Sequence, residues 1–362
     1  MNDRPIRILV VDDSALYRQS IRNVLRDIEG VDVIGSAANG LDALEKIGDL
    51  KPDLLTLDVE MPGMNGIELL RELKVRKVRP KAIMVSSFTS VGAQVTTEAL
   101  MEGAFDFILK PIGDQASANR ETLYNTLHEK IVAFRSSLTS KVSVSCRSTA
   151  STSETTETPS TVIASPRGAC RLVILGTSTG GPAALKHVLP KLPSSLPVPV
   201  IVVQHMPAKY TLSLATRLDA TSELNVIEGY DGLAASPGQI ILASGGRQTK
   251  VIADGKNLRI AVTDDPPENG IRPSVDYTIR SAIAAVDGNA LAVILTGMGR
   301  DGLEGCRVLK AAGGSVFAQS QIDSVVYGMP KAVIDAGLAD RTLTLGKVAP
   351  AIVRHVKRSR GV

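Results

Sequence analysis

Short apolar runs alternate with amphipathic stretches along the first 135 residues of the chain. The apolar runs have the length and composition of strands that are buried on both faces of a sheet. The stretches between them carry apolar residues at spacings of three and four, which is typical of helices that cover such a sheet. We therefore predict a doubly wound parallel α/β sheet, with strands at 6–11, 31–37, 54–57, 82–86 and 105–109 and helices at 15–28, 40–47, 65–77, 91–102 and 115–136.

The same alternation returns after residue 170, with one interruption. Between residues 225 and 262, four strand-like runs follow one another without a helix. We interpret them as an antiparallel hairpin insertion, because Asp254-Gly255 between the last two runs is a typical hairpin turn. The rest predicts a mostly parallel α/β sheet, with strands at 171–175, 198–203, 291–295 and 315–318 and helices at 182–189, 210–219, 275–286, 302–312 and 326–336.

A stretch rich in serine and threonine separates the two halves. Residues 136–169 contain 17 Ser or Thr among 34 positions, with few large apolar residues and no helical or strand period. Such a segment cannot bury enough apolar surface to offset the entropy that ordering it would cost, so we predict a flexible linker. The predicted organisation is a domain at 1–135, the linker at 136–169 and a second domain at 170–362, and two domains are what a length of 362 residues favours.

Composition excludes several classes of protein. Hydrophobic residues make up 44% and charged residues 22% of the chain, as in ordinary soluble proteins, and no apolar run approaches the ~18 residues of a spanning helix. Aromatic residues are only 3%, which argues against the stacking platforms of single-strand nucleic-acid binders. The three cysteines, Cys146, Cys170 and Cys306, have neither disulfide nor zinc spacing. We expect a monomeric cytoplasmic protein that has no targeting segment and does not insert into membranes.

The formal net charge of +4 conceals an uneven distribution. Residues 1–134 carry 16 basic and 20 acidic side chains, whereas residues 171–362 carry 21 and 15. The total is too small to predict a nucleic-acid partner. The opposite signs would favour association of the two domains at low ionic strength.

Five polar residues are expected at the carboxyl edge of the first sheet, where open α/β sheets bind ligands. Three carboxylates that converge there repel one another unless a cation lies among them, and such an oxygen-rich pocket suits Mg²⁺. A single aspartate at a strand end more often caps the next helix, but residues of this kind at four strand ends favour phosphoryl transfer to a carboxylate. The five residues are Asp12, Asp13, Asp58, Ser86 and Lys110.

The surroundings of these residues resemble the receiver domain of two-component response regulators. The matching segments are VVDDS at 10–14, LDVEMPGM at 57–64, VSS at 85–87, GA at 103–104 and KP at 110–111, and the resemblance covers residues 5–130. It implies a flavodoxin-like fold in which Asp58 accepts a phosphoryl group. It also implies Mg²⁺ ligands and switch residues: Asp12, Asp13, Asp58 and the main-chain carbonyl of Glu60 for the metal, and Ser86, Phe107 and Lys110 for the switch.

A glycine-rich turn after the strand at 171–175 presents a serine. The segment GTSTGGP at 176–182 contains the Gly-x-Ser-x-Gly pattern of a nucleophile elbow and precedes a predicted helix. The glycines permit a tight turn, and amides at the start of the helix can hold an oxyanion beside Ser178. Taken alone, the pattern fits a phosphate-binding turn or a merely tight turn equally well.

A histidine and an aspartate are expected at the same sheet edge as Ser178. His205 follows the strand at 198–203, and Asp301 follows the strand at 291–295. They can serve as the base that takes the serine proton and as the carboxylate that orients this base. The chain order differs from that of α/β-hydrolases, so their common fold is not predicted. The remaining histidines are interpreted as surface or packing residues, and three aspartates are reserves for the orienting role: His128, His187 and His355, and Asp264, Asp265 and Asp276.

The same motifs resemble the effector domain of chemotaxis protein-glutamate methylesterases, over about residues 170–355. Besides GTSTGGP, the matching segments are QHMP at 204–207, RPSVD at 272–276, TGMGRDG at 296–302 and YGMP at 327–330. The resemblance implies a Rossmann-like hydrolytic domain with Ser178 as nucleophile, His205 as base and Asp301 as orienting group. It also implies that Thr179 and the main-chain N–H of Met298 lie at the oxyanion site.

Two features depart from this family's pattern. Ile271 precedes the RPSVD segment where histidine is common, which affects the rim of the expected pocket but not the three catalytic residues. The Ser/Thr-rich linker is longer and less charged than expected, which bears on how the two domains are coupled.

Together, the two resemblances imply a phosphorylation-activated serine hydrolase of chemotaxis. It would demethylate glutamate γ-methyl esters on chemoreceptor cytoplasmic domains, release methanol, and deamidate particular receptor glutamines, with no cofactor for the esterase chemistry. The unphosphorylated receiver is expected to restrict access to the esterase until a chemotaxis histidine kinase phosphorylates Asp58. Two alternatives stay open: a related esterase acting on a non-chemotaxis protein, and a response regulator with a DNA-binding output domain, against which the α/β effector pattern argues.

Overall fold

The structure is a computed structural model that describes residues 4–78, 80–113, 115–145 and 168–361, except for the side chains of residues 139–145. The chain divides into two compact units, Met1–Thr139 and Ser140–Val362. None of the helices in these described residues is long and apolar enough to cross a membrane.

The first unit alternates five strands with five helices, as predicted. The strands form one parallel sheet in the order β2-β1-β3-β4-β5, which is the flavodoxin-like arrangement of a doubly wound sheet. The strands are β1 (Ile6–Val11), β2 (Val31–Ala37), β3 (Leu54–Asp58), β4 (Lys81–Ser86) and β5 (Asp106–Leu109). The helices are α1 (Ala15–Arg26), α2 (Gly40–Leu50), α3 (Gly66–Val75), α4 (Ser90–Glu102) and α5 (Ala116–Ser145).

Polar residues just after the strands start the helices of this unit. Ser14 caps α1 by accepting a hydrogen bond from the amide of Tyr17 at 3.4 Å. Asn65 and Glu68 form a capping box at the start of α3. Because each helix begins soon after the carboxyl end of a strand, the acidic residues there remain grouped at one edge of the sheet.

Helix α5 is longer than the sequence predicted. It continues through Ser145, whereas the expected helix ended at residue 136 and the predicted linker began there. The hydroxyls of Ser136 and Ser137 donate to the carbonyls of Val132 and Phe134, at 3.0 and 2.6 Å. Serine side chains that bond back to the preceding turn are compatible with a helix, which the composition argument overlooked. Residues 146–167 of the predicted linker lie outside the described residues.

The second unit contains a seven-stranded parallel sheet with helices on it and a smaller antiparallel sheet beside it. Its strands are β6 (Leu172–Thr177), β7 (Val200–Gln204), β8 (Asn225–Glu228), β9 (Ala234–Ala235), β10 (Gln239–Leu242), β11 (Gln248–Asp254), β12 (Asn257–Thr263), β13 (Ala290–Ile294), β14 (Ser315–Gln319) and β15 (Arg341–Leu343). Its helices are α6 (Gly181–Val188), α7 (Tyr210–Asp219), α8 (Val275–Ala285), α9 (Leu303–Ala311), α10 (Met329–Asp335) and α11 (Leu345–Ser359).

The main sheet has the order β15-β14-β13-β6-β7-β10-β8, so the predicted parallel core is confirmed. The predicted hairpin is confirmed for β11 and β12, which pair antiparallel around the Asp254-Gly255 turn, with β9 as a third strand. The interpretation was wrong for β8 and β10, which join the main sheet in parallel. The side chains of Ile240, Ile241 and Leu242 are all buried, as expected for a strand between two others, and the link from β8 to β10 simply contains no helix.

Candidate active site and candidate phosphorylation site

Three aspartates meet at the carboxyl edge of the first sheet. Strands β1 and β3 are neighbours, and Val11 pairs with Leu57, so that the residues following each strand end lie side by side. Carboxylate oxygens of Asp12, Asp13 and Asp58 lie within 4.8 Å of one another. Asp12 and Asp58 are buried, whereas Asp13 is exposed, so the cluster is open to solvent on one side.

The ammonium group of Lys110 forms ion pairs with two of these carboxylates. Its Nζ lies 2.7 Å from Oδ2 of Asp58 and 3.0 Å from Oδ2 of Asp12. Burial raises the pKa of Asp58 to about 6, with a further contribution from the charge of Asp12, while the hydrogen bond from Lys110 opposes the shift. Burial by itself would lower the pKa of Lys110, but its bonds to Asp58 and Asp12 outweigh that and raise it.

The acidic cluster fits a hard divalent cation. Although Oδ2 of Asp12 is buried and close to the Lys110 ammonium, it accepts no well-aligned hydrogen bond from any described residue. Carboxylate oxygens that converge in this way are natural ligands for Mg²⁺, which prefers carboxylates and water. The amide of Glu60 donates to Oδ1 of Asp58 at 3.4 Å, which keeps the Glu60 main chain beside the cluster.

The two other switch candidates lie on the neighbouring strands. Ser86 ends β4 and is buried; its hydroxyl accepts from Thr96 at 2.8 Å and donates to the carbonyl of Gly92 at 3.3 Å, both on α4. Phe107 is half-buried on β5, in register with Met84 of β4. Their switch roles remain predictions.

Ser178 lies in a tight turn between β6 and α6. Gly180, at the end of the turn, has φ +78°, a conformation that favours glycine. A Cβ on Gly176 would lie 2.5 Å from Cγ1 of Val275, so the start of the motif also has no room for a side chain. The amide of Ser178 donates to the carbonyl of Thr296 at 3.0 Å, which holds the half-buried serine against the end of β13.

The strand register brings His205 next to Ser178. Thr177 at the end of β6 pairs with Gln204 at the end of β7, and the amide of His205 donates to the carbonyl of Thr177 at 3.1 Å. Nε2 of Gln204 donates to the carbonyls of both Ser178 and His205, at 3.1 Å each. Gln204 begins the QHMP segment, but the sequence analysis gave it no role, because contacts made to the main chain cannot be read from residue types.

Asp301 holds the imidazole of His205. Its Oδ2 lies 2.7 Å from Nε2 of His205, and the carboxylate is 4% exposed. The same carboxylate receives hydrogen bonds from the first turn of α8: the amides of Val275 (2.7 Å) and Asp276 (3.0 Å) and the hydroxyl of Ser274 (2.9 Å).

The charge of Asp301 is stabilised although the group is buried. Burial alone would raise its pKa, but the hydrogen bond and charge of His205 and the amides of α8 together lower it. A carboxylate that stays ionised beside an imidazole favours the protonated imidazole, as the orienting group of a catalytic triad must do.

The remaining candidates are placed as follows. Thr179 is buried behind Ser178, and its carbonyl accepts from the hydroxyl of Thr296 at 2.9 Å. Met298 is half-buried and follows Gly297, where a Cβ would lie only 2.9 Å from Cβ of Ser178. The main chain at 297–298 therefore passes directly beside the serine, as an oxyanion donor would have to.

The three reserve aspartates do not contact His205. Asp264 pairs with Arg247 at 2.9 Å, and Asp265 pairs with Lys250 at 2.8 Å. The carboxylate of Asp276 accepts from the amide of Gly305 at 2.6 Å. Among the four carboxylates considered from the sequence, Asp301 is thus the one that bonds to His205.

Comparison with known proteins identifies a family for each of the two units. A family described as CheB methylesterase matches residues 173–352, and one described as response regulator receiver domain matches residues 8–120. A protein-glutamate methylesterase/protein-glutamine glutaminase of Desulfotalea psychrophila is 46% identical over 359 residues, which cover 97% of this chain and 99% of the relative. The chain belongs to the CheB methylesterase family. A relative with the same description from Thermotoga maritima is 40% identical and is matched over 98% of this chain and 100% of the relative.

A solved structure gives the same result for the second unit. The CheB methylesterase catalytic domain of Thermotoga maritima matches with a TM-score of 0.50 and 41% identity, over 51% of this chain and 97% of that domain. Ser178, His205 and Asp301 all fall inside the region that the methylesterase family covers, residues 173–352. The match of this region to an esterase family displaces the alternative of a DNA-binding output domain.

Proposed function

We propose that this chain hydrolyses γ-glutamyl methyl esters on chemoreceptor cytoplasmic domains, with release of methanol, and deamidates particular receptor glutamines. The relatives that match nearly the whole chain carry both activities in their names. The single observation that supports the chemistry best is the 2.7 Å contact between Nε2 of His205 and Oδ2 of Asp301. The amide of this histidine also donates to Thr177, which directly precedes Ser178.

In the proposed mechanism, Ser178 attacks the side-chain carbonyl carbon of the substrate. His205 takes the hydroxyl proton. Because Nε2 of this ring is hydrogen-bonded to Asp301, Nδ1 is the nitrogen that accepts the proton of Ser178. Asp301 stabilises the imidazolium that forms. The imidazolium then returns the proton to the leaving group, which departs as methanol or ammonia. Water, deprotonated by the same ring, hydrolyses the acyl-enzyme.

The oxyanion of the tetrahedral intermediate needs donors beside Ser178. We assign this role to the main-chain N–H of Met298 and to Thr179, which flank the serine on the β13 side and on the α6 side. Gly297 supports this assignment, since its lack of a side chain lets the main chain come within contact of Ser178. Donors held rigidly by a strand end stabilise developing charge without reorganising.

The first unit is proposed to control this activity by phosphorylation of Asp58, with a chemotaxis histidine kinase as phosphodonor. Asp12, Asp13, Asp58 and the carbonyl of Glu60 would hold Mg²⁺, which neutralises charge on the incoming phosphoryl group. Lys110 lies within bonding distance of Asp58 and would contact the phosphoryl oxygens, and Ser86 would hydrogen-bond them. The protein is proposed to act as a monomer in the cytoplasm, where the chemoreceptor domains are.

The variant Ser178→Ala tests the proposed chemistry. Without the hydroxyl there is no nucleophile, so methanol release from methylated chemoreceptor should fall by roughly 10³-fold or more, to what binding and the oxyanion donors alone supply. Methanol is measured with the full chain, with and without a phosphodonor, and circular dichroism with a melting curve checks that the variant is folded.

The nearby variant Ser194→Ala is the matched control, because Ser194 is exposed on the loop before β7 and should leave the rate unchanged. Methanol release by Ser178→Ala at the wild-type rate would refute the assignment. Methanol release by the wild type from a methylated protein outside chemotaxis, but not from chemoreceptors, would instead support the alternative substrate.

A further inference from the structure

Two helices of the second unit cap each other through a pair of carboxylates. The amides of Val275 and Asp276, in the first turn of α8, donate to Asp301, which lies just before α9. In return, the carboxylate of Asp276 accepts from the amide of Gly305 at 2.6 Å, in the first turn of α9. One carboxylate of this pair is the one that bonds to His205, and the other has no role in the mechanism so far.

Helix α9 depends on this second carboxylate for its cap. Its N-cap residue is Gly302, which has no side chain to accept from the first turn. The third amide of a helix normally donates to the N-cap side chain, and here that amide belongs to Gly305 and donates to Asp276 instead. Because Asp301 directly precedes Gly302, whatever fixes the start of α9 also fixes Asp301.

Close packing leaves the Asp276 carboxylate little freedom. A Cβ on Gly305 would lie 2.9 Å from Cβ of Ile279 and 3.1 Å from Oδ1 of Asp276, so α8 and α9 approach as closely as glycine allows. Asp276 itself is 2% exposed. The group therefore acts in one fixed position rather than as a mobile surface charge.

Charged groups face Asp276 from each element packed against it. Asp301 lies on the loop after β13, Glu268 on the loop before α8, Arg280 on α8 itself, and the thiol of Cys306 on α9. Arg280 is paired with Glu268, which reduces its effect on Asp276. Burial first of all raises the pKa of Asp276, to about 7; the Gly305 amide opposes this, and the carboxylates of Asp301 and Glu268 add to it.

We propose that Asp276 is a positioning residue of the esterase, which fixes Asp301 by accepting the amide of Gly305 and so capping α9. This inference rests on the proposed roles of Ser178, His205 and Asp301. An acceptor at position 276 holds the start of α9, and with it the carboxylate that hydrogen-bonds to His205.

The variants Asp276→Asn and Asp276→Ala separate the hydrogen-bond acceptor from the charge. Asparagine still accepts from Gly305 but carries no charge, so its kcat should stay within about twofold of the wild type across the pH range. Alanine removes the cap, so kcat should fall roughly tenfold with little change in KM, because Asp301 loses its fixed position. The full chain is assayed with a phosphodonor by methanol release between pH 5.5 and 9.

Glu304→Gln is the matched control. Glu304 also lies in the first turn of α9 but is exposed and paired with Arg307, so this variant should keep the wild-type profile. An Asp276→Asn enzyme whose kcat falls tenfold would overturn the inference, whether or not Asp276→Ala folds, and so would a folded Asp276→Ala enzyme with the wild-type kcat. If the wild type releases methanol and one of these results is found, the proposed function stands and the role of Asp276 alone fails.

Discussion

One amide group, that of Gln204, connects the two residues that carry the proposed chemistry. Its Nε2 donates to the main-chain carbonyls of Ser178 and His205, so a single side chain orders both turns. Its Oε1 is buried, accepts no hydrogen bond from a described residue, and would lie 2.0 Å from a Cβ on Gly181. The amide is therefore packed tightly under the first turn of α6, and glycine is required there.

Replacing Gln204 by methionine keeps the length of the side chain and removes both donors. The carbonyl of Ser178 keeps the amide of Gly181, but that of His205 loses its side-chain donor, so the free energy of unfolding should fall by about 1–3 kcal/mol. We expect kcat for methanol release to fall roughly tenfold with a smaller change in KM, because the serine and the base lose their common support.

Gln239→Met serves as the control for this prediction. Gln239 begins β10 and accepts from the amide of Ser236 at 3.0 Å, so its loss should affect stability slightly and kcat not at all. A Gln204→Met enzyme that turns over at the wild-type rate would show that strand pairing alone positions the two catalytic turns.

At the scale of elements, the ends of helices in the second unit are arranged around the site. Helices α6 and α9 both begin at a glycine N-cap without a side-chain cap. Amides in their first turns donate to groups other than an N-cap side chain. The amide of Gly181 donates to the carbonyl of Ser178 at 2.8 Å, and the amide of Gly305 donates to the carboxylate of Asp276. In the first unit, by contrast, α3 is closed by its own capping box. The first-turn amides of these two helices thus bind the main chain of Ser178 and the carboxylate of Asp276 instead of an N-cap side chain of their own helix.

The buried Asp276 gives the second unit a pH-dependent stability. Its pKa is about 7 in the folded protein against an ordinary 3.8, so between these values the folded state binds more protons than the unfolded state. The free energy of unfolding therefore falls as the pH rises from about 4 to 7, by about 1.4 kcal/mol per pKa unit at most. The pKa of Asp301 is lowered, so this group has the opposite effect: its contribution to the free energy of unfolding is lost as the pH falls below about 4.

Asp276→Asn should remove this dependence. The free energy of unfolding of the variant minus that of the wild type should be about 1–3 kcal/mol larger at pH 8 than at pH 5. Calorimetry of the full chain at both pH values measures the difference, and Asp287→Asn, at an exposed position just after α8, is the control. An equal effect of Asp276→Asn at pH 5 and pH 8 would mean that the carboxylate ionises normally in the folded protein.

At the scale of the whole molecule, the sequence predicted the strands and the residues that lie at their carboxyl ends. The apolar runs identified the strands. Parallel pairing of β1 with β3 then places Asp12 near Asp58, and pairing of β6 with β7 places Ser178 near His205. What it did not predict depends on contacts between elements that are distant in sequence. The position of β10 in the main sheet and the cap that Asp276 gives α9 both follow from packing that no local pattern records.

Phosphorylation is the property that involves both halves of the chain. If Asp58 accepts the phosphoryl group and thereby activates the esterase, a small-molecule phosphodonor with Mg²⁺ should raise methanol release by the full chain. A stimulation of roughly tenfold corresponds to a shift of about 1.4 kcal/mol between less active and more active states. Asp58→Asn should abolish the stimulation and keep the basal rate, because the asparagine leaves Ser178, His205 and Asp301 untouched.

Asp32→Asn is the control for this change, since Asp32 is an exposed carboxylate on β2 outside the acidic cluster. It should be stimulated like the wild type. A chelator of divalent cations should remove the stimulation but not the basal rate, because the proposed phosphorylation requires a cation at the cluster of Asp12, Asp13 and Asp58, whereas the proposed serine mechanism uses none. Undiminished stimulation of Asp58→Asn would place the phosphorylated residue elsewhere, and loss of the basal rate with the chelator would assign a metal to the esterase itself.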